Sequence, residues 1–171
     1  MIASHRFAII SDAKNLAAFC RQTFYDTYHL QNTEPDMALY AKDFFSDEAV
    51  ITELQDRSTI FILLIDDGNI VGYAKLTESI VPTGLEAFNI IHISRIYIDK
   101  NVIGKGFGKQ LMGLIIGYAK ANNKQLIWLG VWEKNIRAIQ FYLRWGFEKF
   151  DEEIFILGTD AQTDYLMKKL I

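Results

Sequence analysis

A single cysteine in 171 residues leaves no partner for an intrachain disulfide, which excludes a disulfide-stapled scaffold and points to the cytoplasm. Cys20 stands among Leu16, Ala17, Phe19, Thr23 and Phe24, a helix-like apolar face on which it reads as a packed thiol. No run of about 18 apolar residues occurs, and the N-terminus lacks a basic segment leading into an apolar one, so neither a membrane span nor a leader is expected. Basic charge is not in excess either: the formal net charge of −3 gives no general attraction to nucleic acid or anionic membrane. His5, His29 and His92 are scattered without metal-ligand spacing, so no metal is expected. Repeats, linkers and low-complexity stretches are missing as well, and residues 1–171 read as one domain.

What is present is ordinary globular composition, 50% hydrophobic and 23% charged, organised around residues 90–108. Ile90, Ile91, Ile93, Ile96 and Ile98 carry β-branched side chains on both faces, the pattern of an interior strand covered on either side. Gly104, Gly106 and Gly108 follow, and then Leu111, Leu114, Ile115 and Tyr118 recur at helical spacing. The glycines therefore lie at a helix N-terminus, where unpaired amides favour phosphate oxygens and Lys105 and Lys109 add full charges. An ordinary strand-to-helix turn is the plainer alternative. The stretch is not a P-loop, because position 103 is Ile and Gln110 replaces the hydroxyl residue. A dinucleotide fingerprint fails too, since its third glycine would fall at Lys109.

In chain order, residues 6–10 read as a first strand, with Ser11 or Asp12 capping a helix over 13–28. Pro35 opens a second helix to Phe45, and 47–55 forms a third. Strands 59–65 and 70–77 flank Asp66-Asp67-Gly68-Asn69, a hairpin signal. A loop over 78–89 precedes the glycine-bearing unit, whose helix runs 106–122 before a strand at 125–132. Strand, helix, strand implies a right-handed crossover and a parallel pair. A helix over 135–145 ends at Gly146, and strands 147–157 and 163–170 close a hairpin. The expected fold is α/β, a mixed and mostly antiparallel sheet of about seven strands flanked by helices.

The stretch Asn135-x-x-Ala138-x-x-Phe141-Tyr142-x-x-x-Gly146-Phe147, with the glycine turn before it, resembles the two acetyl-CoA-binding motifs of the GCN5-related N-acetyltransferases. The resemblance in strand order covers nearly the whole chain and implies that the central parallel pair is splayed. It departs at Ile103, where that family usually has Gln or Arg. Three phrases, at 95–98, 128–135 and 157–164, look like the PaiA branch, whose members acetylate polyamines such as spermidine and spermine. Where that branch has acidic residues before Arg95, this chain has His92 and Ser94.

The resemblance implies acetyl-CoA or CoA held by Ile96, Tyr97, Ile98, Ile103, Gly104, Lys105, Gly106, Phe107, Gly108, Lys109, Asn135 and Tyr142, with Tyr142 as general acid. An alkylamine with a pKa near 10 is almost wholly protonated at pH 7, so a base or a water relay is required. His92 has a suitable reference pKa and lies on the cradle strand; a hydrogen-bonded sheet histidine is the alternative. Tyr25, Asp26, Tyr28, Glu34 and Glu86, together with Glu78, supply carboxylates and aromatic faces for a cationic small-molecule amine entering between loop 78–89 and the helices around Tyr25, Asp26 and Glu34; a solvated acidic surface is the alternative. A catalytically weak acyl-CoA sensor, another amine or peptide acceptor, and a ligand-free interaction protein remain rival readings. A homodimer fits this fold.

Overall fold

The computed structural model describes residues 3–171, so the first two residues of the N-terminal stretch read for a leader lie outside it. Among the described residues seven strands form one sheet: β1 (Ser4–Phe7), β2 (Thr59–Asp66), β3 (Asn69–Thr77), β4 (Ile90–Ile98), β5 (Leu126–Trp132), β6 (Glu148–Leu157) and β7 (Asp160–Leu170). Their spatial order is β1-β2-β3-β4-β5-β7-β6, with every neighbouring pair antiparallel except β4 and β5. Helices α1 (Ala13–Tyr28), α2 (Glu34–Phe45) and α3 (Asp47–Gln55) precede the β2–β3 hairpin, α4 (Phe107–Ala121) joins β4 to β5, and α5 (Ile136–Arg144) follows β5.

Alternation along the strands divides the interior into two layers. Ile62, Leu64, Ala74, Leu76, Ile91 and Ile127 pack with Leu111, Met112, Ile115 and Ala119 of α4. Phe61, Leu63 and Tyr73 point the other way, onto Leu16, Ala17, Cys20 and Phe24 of α1 and Phe45 and Val50 from α2 and α3. Local sequence sets the helix starts. Thr33 caps α2, accepting from Asp36 N at 3.3 Å, with Pro35 in the first turn, and Ser46 caps α3, accepting from Ala49 N at 3.1 Å.

Two elements differ from the sequence reading by more than one residue at a boundary. The first strand is Ser4–Phe7 rather than 6–10, because the Asp12 carboxylate acts as a clasp instead of a helix cap. It accepts two bonds from the Arg6 guanidinium at 2.6 and 2.7 Å and one from Ile9 N at 2.8 Å, which draws the chain out of the ladder into a 3-10 turn at Ile10–Asp12. The last hairpin is tighter than expected: β7 begins at Asp160, with only Gly158 and Thr159 between paired Leu157 and Asp160. Asp36 of α2 fastens this turn, its Oδ1 accepting from Thr159 N at 2.7 Å and Thr159 Oγ1 at 2.8 Å.

Gly158 has φ +63°, and a Cβ there would lie 2.5 Å from Asp36 Cα. Gly158→Ala must therefore strain the turn and displace α2, at a cost of roughly 2–4 kcal/mol. Gly68→Ala, at φ +77° but with nothing within 4 Å, should cost only about 1 kcal/mol, and urea unfolding of both variants measures the difference.

Candidate active site

The parallel pair is short. β4 and β5 pair only at Ile90, Ile91 and His92 against Leu126, Ile127 and Trp128, and then part. On its other side β4 stays paired with β3 as far as Ile98, but with an extra residue: Leu76 faces Ile93 and Lys75 faces Arg95, leaving Ser94 as a bulge. The bulge reverses the alternation. Before it Ile91 and Ile93 face α4, and after it Ile96 and Ile98 do, which turns Arg95 and Tyr97 towards α1–α3. Beyond the parting, the facing edges of β4 and β5 carry amide and carbonyl groups with no sheet partner, the backbone chemistry that an amide-containing ligand can satisfy.

A cavity of about 490 Å³ opens there. Ile93–Ile98 and Gly130–Trp132 line it at the parting; Val102, Ile103, Gly104, Gly106, Gly108 and Lys109 line it from the glycine turn. Gly106 is the N-cap of α4 in the left-handed region at φ 91°, and Gly104 has the same φ. Nothing lies within 4 Å of where a Cβ would stand at either, so the turn is a bare concave surface. The first intrahelical bond of α4 is Gln110 N to Gly106 O at 3.0 Å; the amides before it are those a helix start leaves free, which fits a phosphate group.

Helix α5 carries the remaining expected residues, and its two ends hold them. Asn135 caps the helix, its Oδ1 accepting from Ala138 N at 3.2 Å, so its amide NH2 is the group left for a ligand. At the other end Gly146 adopts φ +80°, Phe147 N bonds Tyr142 O at 3.1 Å and Gly146 N bonds Leu143 O at 3.0 Å. This is the Schellman arrangement, and the Phe147 ring packs 5.8 Å from the Tyr142 ring. Tyr142 is thereby fixed with its ring buried and its hydroxyl unbonded to any described residue. Burial, and then the neighbouring Tyr28, push its pKa well above the ordinary 10.

The rest of the wall comes from Phe24, Thr27 and Tyr28 of α1, Tyr40 and Phe45 of α2, and Phe155, Leu157, Gln162 and Asp164 of the last hairpin. Arg95 belongs to this side, but it is engaged: its guanidinium bonds both oxygens of Glu53 at 2.8 and 2.9 Å and lies 4.7 Å above the Phe45 ring. Arg137 and Arg144 of α5 join Lys109 as basic groups in the wall.

Of the residues expected from the sequence, Ile96, Tyr97, Ile98, Ile103, Gly104, Gly106, Gly108, Lys109, Asn135, Tyr142 and Tyr28 meet in this cavity. Others do not. Phe107 is buried in the α4 core, leaving only its amide to the turn, and Lys105 is exposed outside the wall. Tyr25, Asp26 and Glu34 form an outer cluster, where Tyr25 Oη donates to Glu34 at 3.0 Å and Lys100 pairs with Asp26 at 2.7 Å. Glu86 folds back on Gly84 N at 2.8 Å, and Glu78 pairs with Lys124 at 3.2 Å. Loop 78–89 feeds the first residues of β4, at the end of the strand away from the parting, so an acceptor entrance beside it does not match the fold.

His92 is a further correction. It lies where β4 and β5 are still paired and outside the cavity, its ring stacked 3.8 Å from that of Trp128, with Nδ1 3.1 Å from Ser94 Oγ and 3.3 Å from Thr77 Oγ1. Burial first, and then the charge of Lys75, pull its pKa down from 6.5 to about 3. Among the lining residues the sequence reading missed are Arg137, Arg144, Tyr40, Trp132, Gln162 and Asp164. For Asp164 a signal existed, since it ends the phrase 157–164, but its cross-strand neighbours were not legible.

A glycine turn with free helix-start amides, bare strand edges and a fixed phenol meet in one cavity, an arrangement that suits a transferase with a phosphate-bearing donor. Residues 19–147 match the acetyltransferase (GNAT) family. The chain belongs to that family and is an N-acetyltransferase. It is 36% identical over 166 residues to an uncharacterized N-acetyltransferase in the pepI 3′ region of Lactobacillus delbrueckii subsp. lactis, covering 94% of this chain and 92% of that one. A shorter likeness, 36% over 59 residues, links it to the spermine/spermidine N(1)-acetyltransferase of Bacillus subtilis, over 34% of this chain and 39% of that protein. In fold it matches the PaiA N-acetyltransferase of Thermoplasma acidophilum, solved in complex with coenzyme A, with a TM-score of 0.83 at 21% identity over 100% of both chains.

The enclosure of His92 has a measurable sign. Its folded pKa near 3 lies below the ordinary 6.5, so the unfolded chain binds the proton first; stability present above pH 6.5 is lost progressively as pH falls towards 3. NMR titration should find no inflection of this ring near 6.5. His92→Phe, which retains the stack on Trp128, should lose less stability than wild type over the same range.

Proposed function

We propose that the protein moves the acetyl group of acetyl-CoA to a primary amine of a polyamine such as spermidine or spermine, acting as one domain. The observation that carries the reading is the single cavity shared by the glycine turn, the parted strands, Asn135 and Tyr142. When bound, the donor supplies a thioester. The amides at the start of α4 take its pyrophosphate, with Lys109, Arg137 and Arg144 adding charge. The freed amides of Ile96–Ile98 and the Asn135 NH2 hold the pantetheine arm and polarise the thioester oxygen.

Tyr142 gives its phenolic proton to the leaving sulfur. Its raised pKa keeps it protonated throughout the neutral range, so it is always ready to donate. A thiolate with a pKa near 8.5 is a poor match for so weak an acid, and the transfer becomes favourable only if the phenol regains a proton from the attacking nitrogen as it gives one up. The aromatic faces of Tyr28, Tyr40 and Trp132 and the carboxylate of Asp164 support a cationic acceptor, as does the local likeness to a polyamine acetyltransferase.

Tyr142→Phe keeps the ring and removes the proton, so kcat should fall roughly 10- to 1000-fold while calorimetry finds acetyl-CoA affinity nearly unchanged. A kcat within about twofold of wild type assigns Tyr142 to packing instead. Thiol release with spermidine should exceed that with butylamine by at least about tenfold in kcat/KM, through the second ammonium group. Equal rates remove the polyamine and leave the acetyltransferase; CoA binding with no thiol release from any amine points to a sensor.

A further inference from the structure

One side chain of the cavity wall has an unmet need. Asp164 Oδ1 is buried and has no hydrogen-bond partner among the described residues. Among the described residues it is the only acid in a wall that also contains Arg95, Lys109, Arg137 and Arg144, and it forms no ion pair with any of them. In the ladder it stands opposite Trp132 of β5 on one side and Glu153 of β6 on the other. Like charges directly opposite destabilise a sheet, and a buried carboxylate oxygen without a partner adds to the cost. No ion pair or hydrogen bond from a described residue to Asp164 Oδ1 offsets either.

Gly130 marks where a cation would relieve both. A methyl group there would lie 3.4 Å from Asp164 Oδ2 and 3.8 Å from Glu153 Oε1, so the two carboxylates converge on bare β5 backbone in the segment that has left β4. Trp132 and Tyr28, with rings 6.0 Å apart, form the adjoining aromatic wall. From this geometry we infer that Asp164 receives the ammonium group of the acceptor and takes its proton, with Glu153 adding attraction for the cation. This rests on the acetyltransferase reading and supplies the base that His92 does not.

The proton moves from the ammonium nitrogen to Asp164, leaving a neutral amine. Its lone pair forms the C–N bond to the acyl carbon as the C–S bond breaks, the bonding electrons going to sulfur. Sulfur takes the Tyr142 proton, the nitrogen's second proton restores Tyr142, and Asp164 releases its own to solvent as the amide leaves. The net products are amide, thiol and one proton.

The groups acting on Asp164 fit the task. Glu153 faces it from β6, Tyr28 from α1 and Tyr40 from α2, while Arg95 of β4 lines the same cavity with its charge committed to Glu53. Burial, and then Glu153, push Asp164 up to about 6, so it is ionised at neutral pH yet basic for a carboxylate.

The test compares wild type with Asp164→Asn using spermidine. With this base, kcat/KM should rise through pH 6 and stay level until the amine itself loses its proton near about pH 10; without it, only neutral amine reacts and the logarithm should climb with unit slope to about pH 10. At pH 7 the variant should lose at least 100-fold in kcat/KM and bind spermidine at least tenfold more weakly in the presence of CoA, with CoA affinity unchanged. Its Tm should be equal to or above that of wild type, because a repelled, unpartnered charge is gone. Glu153→Gln should move the bend below 6. An unchanged pH profile or unchanged spermidine affinity in Asp164→Asn overturns the assignment while the acetyltransferase reading stands. Wild type that binds CoA but neither binds nor acetylates any amine overturns both.

Discussion

The parting of β4 from β5 is the constraint on which the rest of the molecule depends. Three paired positions hold the strands together at one end, and the Ser94 bulge then re-aims β4 while β3 keeps it in the sheet. A sheet that breaks a pairing in its middle exposes backbone groups whose burial without partners is costly. The fold tolerates this because both strands keep their outer neighbours, β3 and β7, and because helices cover both faces. The same bulge sends Arg95 to Glu53, where the guanidinium and Lys75 brace α3 against the open segment.

Around that opening, ordinary helix-ending devices hold the chemical groups. The left-handed Gly106 that starts α4 leaves a bare turn with free amides, and the left-handed Gly146 that stops α5 sets Tyr142 against Phe147. Asn135 serves two purposes with one side chain: its oxygen caps α5 and its NH2 remains available. Gly146 is thus a backbone requirement of the Tyr142-x-x-x-Gly146-Phe147 motif, since without it the ring of Phe147 would not reach Tyr142.

Charge is distributed unevenly around the cavity. Lys109, Arg137 and Arg144 lie on α4 and α5, while Asp164 is carried by β7 beside Trp132. Basic and acidic side chains therefore lie on different walls of one space, so an anionic group and a cationic group are drawn to different sides of the parted strands.

Much of this was legible in the chain itself. The β-branched run at 90–98, the glycines at 104–108 and the Asn135–Phe147 spacing specify strand, turn and capped helix through local backbone preference, and local preference is what a sequence records directly. The element order and the cradle follow from them. The wall formed by α1, α2 and the last hairpin was legible only in Tyr28. Tyr25, Asp26, Glu34 and Glu86 look as suitable by residue type as Tyr28, Tyr40 and Asp164, yet only the last three reach the cavity. Which of them does so depends on the register of β6 against β7 and on the packing of α1 and α2 over the sheet. His92 was misplaced for the same reason: one position along a strand decides between the paired and the parted segment, and one bulged residue reverses which face a side chain occupies. Those outcomes are fixed by contacts between residues far apart in the chain, so only the tertiary structure could decide them.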